Sequence, residues 1–414
     1  MTAHGLATRM LHADAELGLG TNQPVVAPLS VATTYIQPDP ADLAAHLAEA
    51  RAKHFPQPAV RNADEESDAP KPYIYSRMSN PTLDRVEAVL GALEQHFGDE
   101  AHAVVYASGL AAMTAALHHA QPRRIITQLG YHGTFSGMGA DRDVLVVESP
   151  SNPWGTLPNL PALASWIKQT EGTTLIVDAT LAPPPLQNIR QIAGVDLVVH
   201  SATKFLGGHS DLLCGAVIAR DRSTAATLRR ERTYLGAVPG NLETWLLLRS
   251  LRTVHLRVTA QAKTATQLAT WLQSVANGDV PELEGTVTKV HHASVVYADD
   301  GADSDDPLTA APSSVARALF PTGQWGSVMS VELASRVAAR ALPHLVAFGC
   351  AATSLGGVES LLEWRWQHDK TVPDTLVRVS IGLEEFEDLK ADWTRALLAA
   401  KDVAEAVAAA TDAE

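Results

Sequence analysis

The chain has 414 residues, 46% of them hydrophobic, which predicts either two folded domains or one large α/β unit with a sizeable core. Its 32 basic and 46 acidic residues give a net charge of −14, which argues against nucleic acid or an anionic membrane as a partner. The sequence has two cysteines, no secretory signal pattern and no apolar run of membrane-spanning length, so we expect a cytoplasmic protein without a disulfide framework.

The first 72 residues are expected to form an N-terminal arm with an insertion. Asp39 and Pro40 suit the start of a short helix, and the proline- and acid-rich stretch 56–72 is typical of an exposed loop. The segment Y-S-R-M-S-N-P-T (75–82) then leads into a second helix. Its apolar residues recur at helical spacing from Leu83 to Leu93.

From residue 103 onward, short apolar segments alternate with helical ones. The predicted strands span residues 103–107, 124–127, 144–147, 175–178 and 197–199, and the helices between them include 110–120 and 160–169. This alternation predicts an α/β domain built on a mostly parallel, doubly wound sheet. Ligands of such sheets bind beyond the carboxyl ends of the strands.

Residues 221–276 predict long helices that lead out of the large domain. Further strands are predicted at 285–296, 329–333, 345–348 and 376–381, with an exposed acidic loop at 297–314 and a final helix from Glu384 to about Ala410. The acidic loop lacks the spacing of a calcium-binding loop, and the adjacent histidine pairs lack metal-ligand spacing, so no metal site is predicted. The expected divisions are an arm at 1–72, a large domain at 73–259 and a small α+β domain at 260–414.

Two residues at predicted strand ends suggest pyridoxal phosphate (PLP) as a cofactor. Lys204 follows the strand 197–199, among hydroxyls and before a glycine pair, where its amine could form a Schiff base with an aldehyde. A surface lysine at a strand end is the more common case. Asp178 closes an apolar strand, and its carboxylate could pair with the pyridinium nitrogen of PLP or cap the next turn.

Two further features are weaker when each is taken alone. Ser108 begins S-G-L-A-A at the start of a predicted helix, where free amides and a hydroxyl could bind phosphate or serve only as a cap. Tyr131 follows a strand beside glycines, so its ring could stack on a pyridine or lie partly buried in a loop. All four features together, in this order and at strand ends, favour a PLP-dependent enzyme.

The sequence resembles the Cys/Met-metabolism family of PLP enzymes, which includes cystathionine γ-synthase, cystathionine γ-lyase and cystathionine β-lyase. The matching segments are Y-S-R-M-S-N-P-T (75–82), S-G-L-A-A (108–112), E-S-P-S-N-P (148–153), V-D-A-T-L-A-P (177–183), S-A-T-K-F-L-G-G-H-S-D (201–211), T-S-L-G-G-V-E-S-L (353–361) and L-V-R-V-S-I-G-L-E (376–384). The resemblance implies the fold of aspartate aminotransferase, fold type I, with a PLP-binding large domain and a smaller C-terminal domain.

The resemblance also implies roles for individual residues. Lys204 would carry PLP and shuttle protons, Asp178 would pair with the pyridine nitrogen, and Tyr131 would stack on the ring. The Gly109 and Leu110 amides would bind the phosphate together with Ser201 and Thr203, and the substrate ligands would be Asn152, Ser354 and Arg378. Tyr75 and Arg77 would reach the phosphate of a neighbouring subunit, which implies at least a homodimer and, by family habit, a homotetramer.

Departures from the family pattern concern the substrate. Gly133 stands where methionine γ-lyases carry cysteine, and Thr353 stands where many γ-lyases and γ-synthases have glutamate. The segment E-W-R-W-Q-H-D-K-T-V-P-D, from Glu363, replaces the family's Met-Thr-His segment. We expect a trans-sulfuration enzyme that cleaves the C–S bond of L-cystathionine or a related sulfur amino acid. The alternatives are γ-replacement of O-acyl-homoserine by cysteine, then cystathionine β-lyase, and remotely a non-catalytic PLP-binding protein.

Overall fold

The structure, a computed structural model, describes residues 5–14, 17, 26–35, 43, 45–47, 49, 73–95, 100–127, 142–169, 171–298 and 311–412. Several sequence predictions lie outside the described residues: the helix start at Asp39 and Pro40, the loop 56–72, Tyr131, Gly133 and most of the acidic loop. None of the helices in the described ranges is long and apolar enough to cross a bilayer.

The first sheet has six strands in the order β1-β6-β5-β4-β3-β2. Its strands are β1 (His102–Tyr106), β2 (Arg124–Thr127), β3 (Asp143–Glu148), β4 (Thr174–Asp178), β5 (Leu197–His200) and β6 (Gly215–Ala219). Strands β2 to β5 pair in parallel, whereas β6 runs antiparallel to both β5 and β1. The predicted α/β sheet is therefore confirmed. Strand β6 was not predicted, although G-A-V-I-A is wholly buried.

Helices cover this sheet and connect it to the rest of the chain. They are α1 (Leu6–His12), α2 (Pro81–Glu94), α3 (Gly109–Ala120), α4 (Leu160–Ile167), α5 (Arg222–Leu235), α6 (Asn241–Leu251) and α7 (Val254–Ala276). Helix α2 begins as its sequence predicts, because the Asn80 side chain accepts a hydrogen bond from the Leu83 amide at 2.9 Å and Pro81 occupies the first turn. The predicted helical region 221–276 is confirmed as α5, α6 and α7.

The second sheet has five strands in the order β7-β8-β11-β10-β9. Its strands are β7 (Val287–His291), β8 (Val328–Leu333), β9 (Gly349–Ala351), β10 (Ser360–Trp364) and β11 (Leu376–Ser380). The helices of this region are α8 (Ala293–Val296), α9 (Ser313–Leu319), α10 (Arg336–Ala341) and α11 (Phe386–Asp412). Only β9 and β10 pair in parallel; the other neighbours are antiparallel.

Three predictions for this region were wrong. The strand predicted at 285–296 ends at His291, because the His292 side chain accepts from the Ser294 amide and caps α8. The strand predicted at 345–348 does not form, because the amides of Ala347 and Phe348 donate to the Asp392 carboxylate at 2.7 and 3.0 Å. The loop predicted to reach residue 314 ends earlier, where α9 begins at Ser313.

Helix α7 connects the hydrophobic cores of the two sheets. Its residues Val258 and Ala262 belong to the core of the first sheet, and Ala265 and Leu268 belong to the core of the second. The boundary predicted between residues 259 and 260 falls within this helix and stays a prediction. One continuous helix thus packs against both halves of the molecule.

Candidate active site

Polar groups from both sheets meet beyond the carboxyl ends of β3, β4 and β5. Asp178 ends β4 and pairs in register with Glu148 at the end of β3. Lys204 lies in the turn after β5, whereas Arg378 lies on β11 of the second sheet. Contacts between these groups form one continuous site.

Lys204 makes the most direct link between the two sheets. Its Nζ donates a hydrogen bond to Ser354 Oγ at 2.9 Å, and Ser354 belongs to the loop before β10. Burial lowers the pKa of the half-buried Lys204, the positive charge of Arg378 lowers it further, and Glu363 opposes the shift. A lowered pKa enriches the neutral amine, which is the form that attacks a carbonyl carbon.

Close backbone packing fixes the turn that carries Lys204. Gly208 has a positive φ of +69°, and a Cβ there would overlap the Arg257 guanidinium. Arg257, on α7, donates to the carbonyl oxygens of Phe205 at 2.9 Å and Leu206 at 3.3 Å. Arg257 therefore packs against the turn and requires glycine at 208, whereas at Gly207 a Cβ would lie 2.9 Å from the Ala202 carbonyl oxygen.

Arg378 is a buried guanidinium that contacts two separate segments. Its Nη1 donates to Asn152 Oδ1 at 3.4 Å, and its Nη2 donates to the carbonyl oxygens of Thr353 and Ser354. The side chain of Glu363 forms an ion pair with Arg378 at 2.5 Å, with side-chain exposures of 5% and 4%. The β10–β11 register sets Glu363 directly opposite Arg378, so this pairing follows from the strand alignment.

The Asn152 loop is held by both sheets. Its backbone amide donates to Glu148 Oε2 at 2.9 Å, and Ser330 Oγ on β8 donates to the Pro153 carbonyl at 2.7 Å. Burial raises the pKa of Glu148, and Asp178 adds to this rise, while the Asn152 amide and the charge of Arg365 offset part of it. Glu148 thus lies inside the site as a carboxyl group of raised pKa.

Asp178 occupies the strand end where the sequence places a partner for a pyridinium. Its Oδ1 accepts from the Thr180 amide at 2.9 Å, and Thr180 Oγ1 accepts from the Ser201 amide at 2.8 Å. The capping function considered for Asp178 is therefore present. Capping does not exclude pairing with a pyridinium nitrogen, because a carboxylate has a second oxygen and further lone pairs.

The start of α3 forms a cradle against the turn after β5. Ser108 Oγ accepts from the Ala111 amide at 3.1 Å, which caps the helix. A Cβ at Gly109 would lie 2.7 Å from both Cβ and Oγ of Ser201, so only glycine permits this approach. Helix amides beside the Ser201 hydroxyl suit a phosphate dianion.

The remaining predicted phosphate ligands differ in their surroundings. Leu110 follows Gly109 at the helix start, with its side chain 76% exposed. Thr203 Oγ1 donates to the Cys214 carbonyl at 3.2 Å and accepts from the Cys214 amide at 3.1 Å. Its proton is therefore engaged, and Thr203 would have to rotate before it could donate to a phosphate.

Tyr75 and Arg77 lie together at the surface of the chain. The Tyr75 side chain is 43% exposed, and the Arg77 guanidinium carbon lies 5.6 Å from its ring centroid. Arg77 Nη1 donates to the Thr233 carbonyl at 3.0 Å. Tyr131 lies outside the described residues, so its predicted stacking role stays a prediction.

Sequence reasoning missed three charged residues of this site. Glu148 opens the E-S-P-S-N-P segment, and its place at a strand end could have identified it. Glu363 and Arg365 depend on the pairing of β10 with β11, and β10 was not predicted. Among the described residues, no group of three or more His, Cys, Asp or Glu side chains could hold a metal ion.

Known proteins resemble this chain in sequence and in fold. The sequence model of the family described as Cys/Met metabolism PLP-dependent enzyme matches residues 7–140 and 136–398. A putative cystathionine gamma-lyase of Streptomyces coelicolor is 33% identical over 358 residues, 80% of this chain and 85% of that protein. A cystathionine gamma-synthase of Mycobacterium tuberculosis is 31% identical over 363 residues, 78% and 86% of the two chains. The crystal structure of metB from Corynebacterium glutamicum has a TM-score of 0.73 and 27% identity, and the match covers 95% of this chain and 98% of that one.

Proposed function

Because this chain belongs to the Cys/Met-metabolism family of PLP-dependent enzymes, we propose that it cleaves the Cγ–S bond of L-cystathionine and, with one water, yields cysteine, 2-oxobutyrate and ammonia. The observation that carries the proposal is the 2.9 Å hydrogen bond from Lys204 to Ser354, beside the buried Arg378. It combines an amine of lowered pKa with a guanidinium suited to an amino-acid carboxylate. The name of the relative from Streptomyces coelicolor supports the choice of γ-cleavage.

The residues present fit the cofactor. The cradle between Gly109 and Ser201, which a Cβ would fill, suits the phosphate, and Asp178 suits the protonated ring nitrogen. Lys204 would carry the aldehyde carbon. When bound, PLP withdraws electrons from the substrate Cα and thereby acidifies its proton.

Residues of the chain transfer the proton and bind the substrate. Lys204 takes the proton from Cα, and Ser354 orients the amine that does so. Arg378 and Asn152 bind the α-carboxylate and fix which Cα bond faces Lys204. Because Glu363 already pairs with Arg378, the substrate carboxylate takes the Asn152 side of the guanidinium or displaces Glu363.

A cystathionine γ-synthase activity is the second candidate, supported by the name of the relative from Mycobacterium tuberculosis. In that reaction the sulfur of cysteine replaces the acyloxy group at Cγ of O-acyl-homoserine, which leaves as a carboxylate, and the same residues bind the homoserine end. We also propose a cytoplasmic homodimer or homotetramer in which the exposed Tyr75 and Arg77 reach the phosphate of a neighbouring subunit.

Product analysis of the purified, PLP-loaded protein tests the proposal. We expect L-cystathionine alone to give cysteine and 2-oxobutyrate. Homocysteine and pyruvate would instead support a β-lyase, and turnover that requires both O-acyl-homoserine and cysteine would support a γ-synthase. Absence of turnover with every one of these substrates would contradict a trans-sulfuration function.

Substituting Gly109 with alanine is expected to weaken PLP binding while the fold is retained. The added Cβ would lie 2.7 Å from Ser201 Cβ and Oγ, so the helix start or Ser201 must move. We expect about a tenfold rise in the PLP dissociation constant, the effect of about one misplaced charge-assisted hydrogen bond. Gly5→Ala, where a Cβ meets nothing within 4 Å, is the matched control. Equal PLP affinity in both variants would exclude this cradle as the phosphate site.

Capture of PLP by Lys204 is expected to accelerate with pH, because only the neutral amine attacks the aldehyde. Since burial and Arg378 lower the pKa of Lys204, the midpoint should lie below about 10.4, the usual lysine value. Arg378→Gln removes a cation and should raise the midpoint, whereas Glu363→Gln removes an anion and should lower it. Stopped-flow absorbance of the apoenzyme mixed with PLP measures both shifts, and a midpoint that moves in neither variant would refute the assignment.

A further inference from the structure

Arg365 lies on the same side of the second sheet as Arg378 and Glu363. Glu363 and Trp364 are the last two residues of β10, so Trp364 points to the face opposite Glu363. Arg365 begins the short 3₁₀ turn Arg365–Gln367 that follows β10, and its contact with Glu363, from Nη1 to Oε1 at 3.4 Å, places its guanidinium on the Glu363 side. Glu363 therefore bridges two guanidiniums, with Oε2 on Arg378 at 2.5 Å and Oε1 on Arg365.

The donors of Arg365 are only partly used. Within the described ranges its buried Nε–H has no hydrogen-bond partner, and Nη2 reaches Asp369 Oδ2 only at 3.9 Å. The Nε–Nη2 edge of a guanidinium is one of those that bind a carboxylate in a bidentate manner. With its side chain 21% exposed, Arg365 can reach a ligand from solvent.

Stacking on the opposite face holds the turn that carries Arg365. The Trp364 and Trp366 rings lie 5.5 Å apart, and the Arg336 guanidinium lies 4.4 Å from the Trp366 centroid. On the same ring, Lys370 Nζ lies 3.2 Å from the centroid. These contacts restrict the turn, so Arg365 loses little further freedom when a ligand binds.

Arg365 also interacts electrostatically with residues of the active site. Its charge acts on Glu148 at the end of β3 and on Arg378, which links it to both sheets. Glu148, Glu363 and Asp369 are the carboxylates near it, so a ligand anion competes with them for the guanidinium. A ligand already bound elsewhere in the site competes best with these carboxylates. Its first bound group holds its second carboxylate at high effective concentration near Arg365.

We propose that Arg365 is a specificity-determining residue that binds the second carboxylate of a dicarboxylic amino-acid thioether whose α-carboxylate occupies Arg378. The proposal rests on the function proposed above and extends it to the far end of the substrate. Arg365 takes no part in bond cleavage. Its role is to favour thioethers that carry a second amino-acid end over those that end in an alkyl group.

The test compares L-cystathionine with L-ethionine, which has the same α-amino acid and thioether but lacks the second ammonium and carboxylate. The PLP-loaded wild type, Arg365→Gln and the control Arg340→Gln are titrated with each ligand. The change in the visible absorption of the bound cofactor is recorded by stopped flow, before product accumulates, and gives a dissociation constant for each ligand. Arg340 is a matched control because its guanidinium lies 6.0 Å from the Trp364 ring, on the opposite face.

We expect Arg365→Gln to raise the dissociation constant of L-cystathionine by about ten- to a hundredfold, the effect of one charge-assisted hydrogen-bond pair. The dissociation constant of L-ethionine should stay within about twofold of the wild-type value in every variant, because only the second carboxylate contacts Arg365. Arg340→Gln should change the dissociation constant of neither ligand. Arg365→Lys keeps the charge but lacks the planar guanidinium, so it should lose less affinity for L-cystathionine than Arg365→Gln. It replaces the glutamine variant in the test if that variant does not fold.

Equal weakening of both ligands by Arg365→Gln, or no change in either, would overturn the proposal while leaving the lyase function intact. A wild-type enzyme that binds neither ligand would overturn both. Selective loss of L-cystathionine binding supports the assignment whichever bond the enzyme breaks.

Discussion

Replacing Lys204 with alanine should abolish the Schiff-base absorption band of bound PLP and lower turnover of L-cystathionine about 10⁴-fold, the upper end of what one acid–base group contributes. In the proposed function the amine both carries the cofactor and moves the proton at Cα. Its partner Ser354 cannot replace it, because a hydroxyl is a far weaker base. Absorption spectroscopy and steady-state kinetics on one preparation measure both effects.

The fold should survive this change, because Lys204 is half-buried and its described hydrogen bond is a single contact with Ser354. Thermal unfolding of Lys204→Ala should therefore occur close to the temperature of the wild-type apoenzyme. Lys401→Ala removes a lysine on α11 whose Nζ donates to the Glu284 carbonyl at 3.4 Å, and this variant should keep both cofactor and turnover. Retention of the Schiff-base absorption band by Lys204→Ala would show that another amine carries the cofactor.

Replacing Arg378 with glutamine should both destabilise the protein and raise KM for L-cystathionine by at least about a hundredfold. Glu363 stays buried without its partner, and breaking a buried ion pair in this way costs about 3–5 kcal/mol. The contact between Arg365 and Glu363 at 3.4 Å favours the lower end of that range. Urea unfolding of the apoenzyme and initial-rate kinetics measure the two effects separately.

A second variant separates stability from recognition. In Arg378→Gln/Glu363→Gln both buried charges are gone, and two amides of similar volume can hydrogen-bond, so most of the lost stability should return. KM should remain high, because the double variant still lacks the guanidinium proposed to bind the α-carboxylate. Recovery of a low KM in the double variant would mean that Arg378 does not bind the substrate carboxylate.

The sequence predicted most of the first sheet and its site because strand ends carry local signals. Asp178 and Lys204 each follow a short apolar strand, and Ser108 begins a helix with a capping pattern, so periodicity alone located them. Their chemistry could then be judged residue by residue. Strand β6 escaped because G-A-V-I-A is a short buried run whose antiparallel place is set only by tertiary pairing.

The second sheet was predicted less well because its contacts are not local. The amides of Ala347 and Phe348 are taken by Asp392, a residue 45 and 44 positions away, which no pattern near 345–348 indicates. The pairing of Glu363 with Arg378 likewise depends on the β10–β11 register. The motif around Arg378 suggested a carboxylate ligand, but only the fold shows that an internal carboxylate is already bound to it.

Helix α7 makes assembly of the site depend on the folding of both halves of the chain. Arg257 holds the carbonyls of the Lys204 turn, and Gln261, one helical turn further on, donates to the Gly357 carbonyl at 2.6 Å and to the Ile381 carbonyl at 3.3 Å. A chain with only one core formed would lack either the lysine turn or the loop that carries Ser354. We therefore expect high-affinity cofactor capture to appear only late in refolding, so that PLP absorption reports the docking of the two cores.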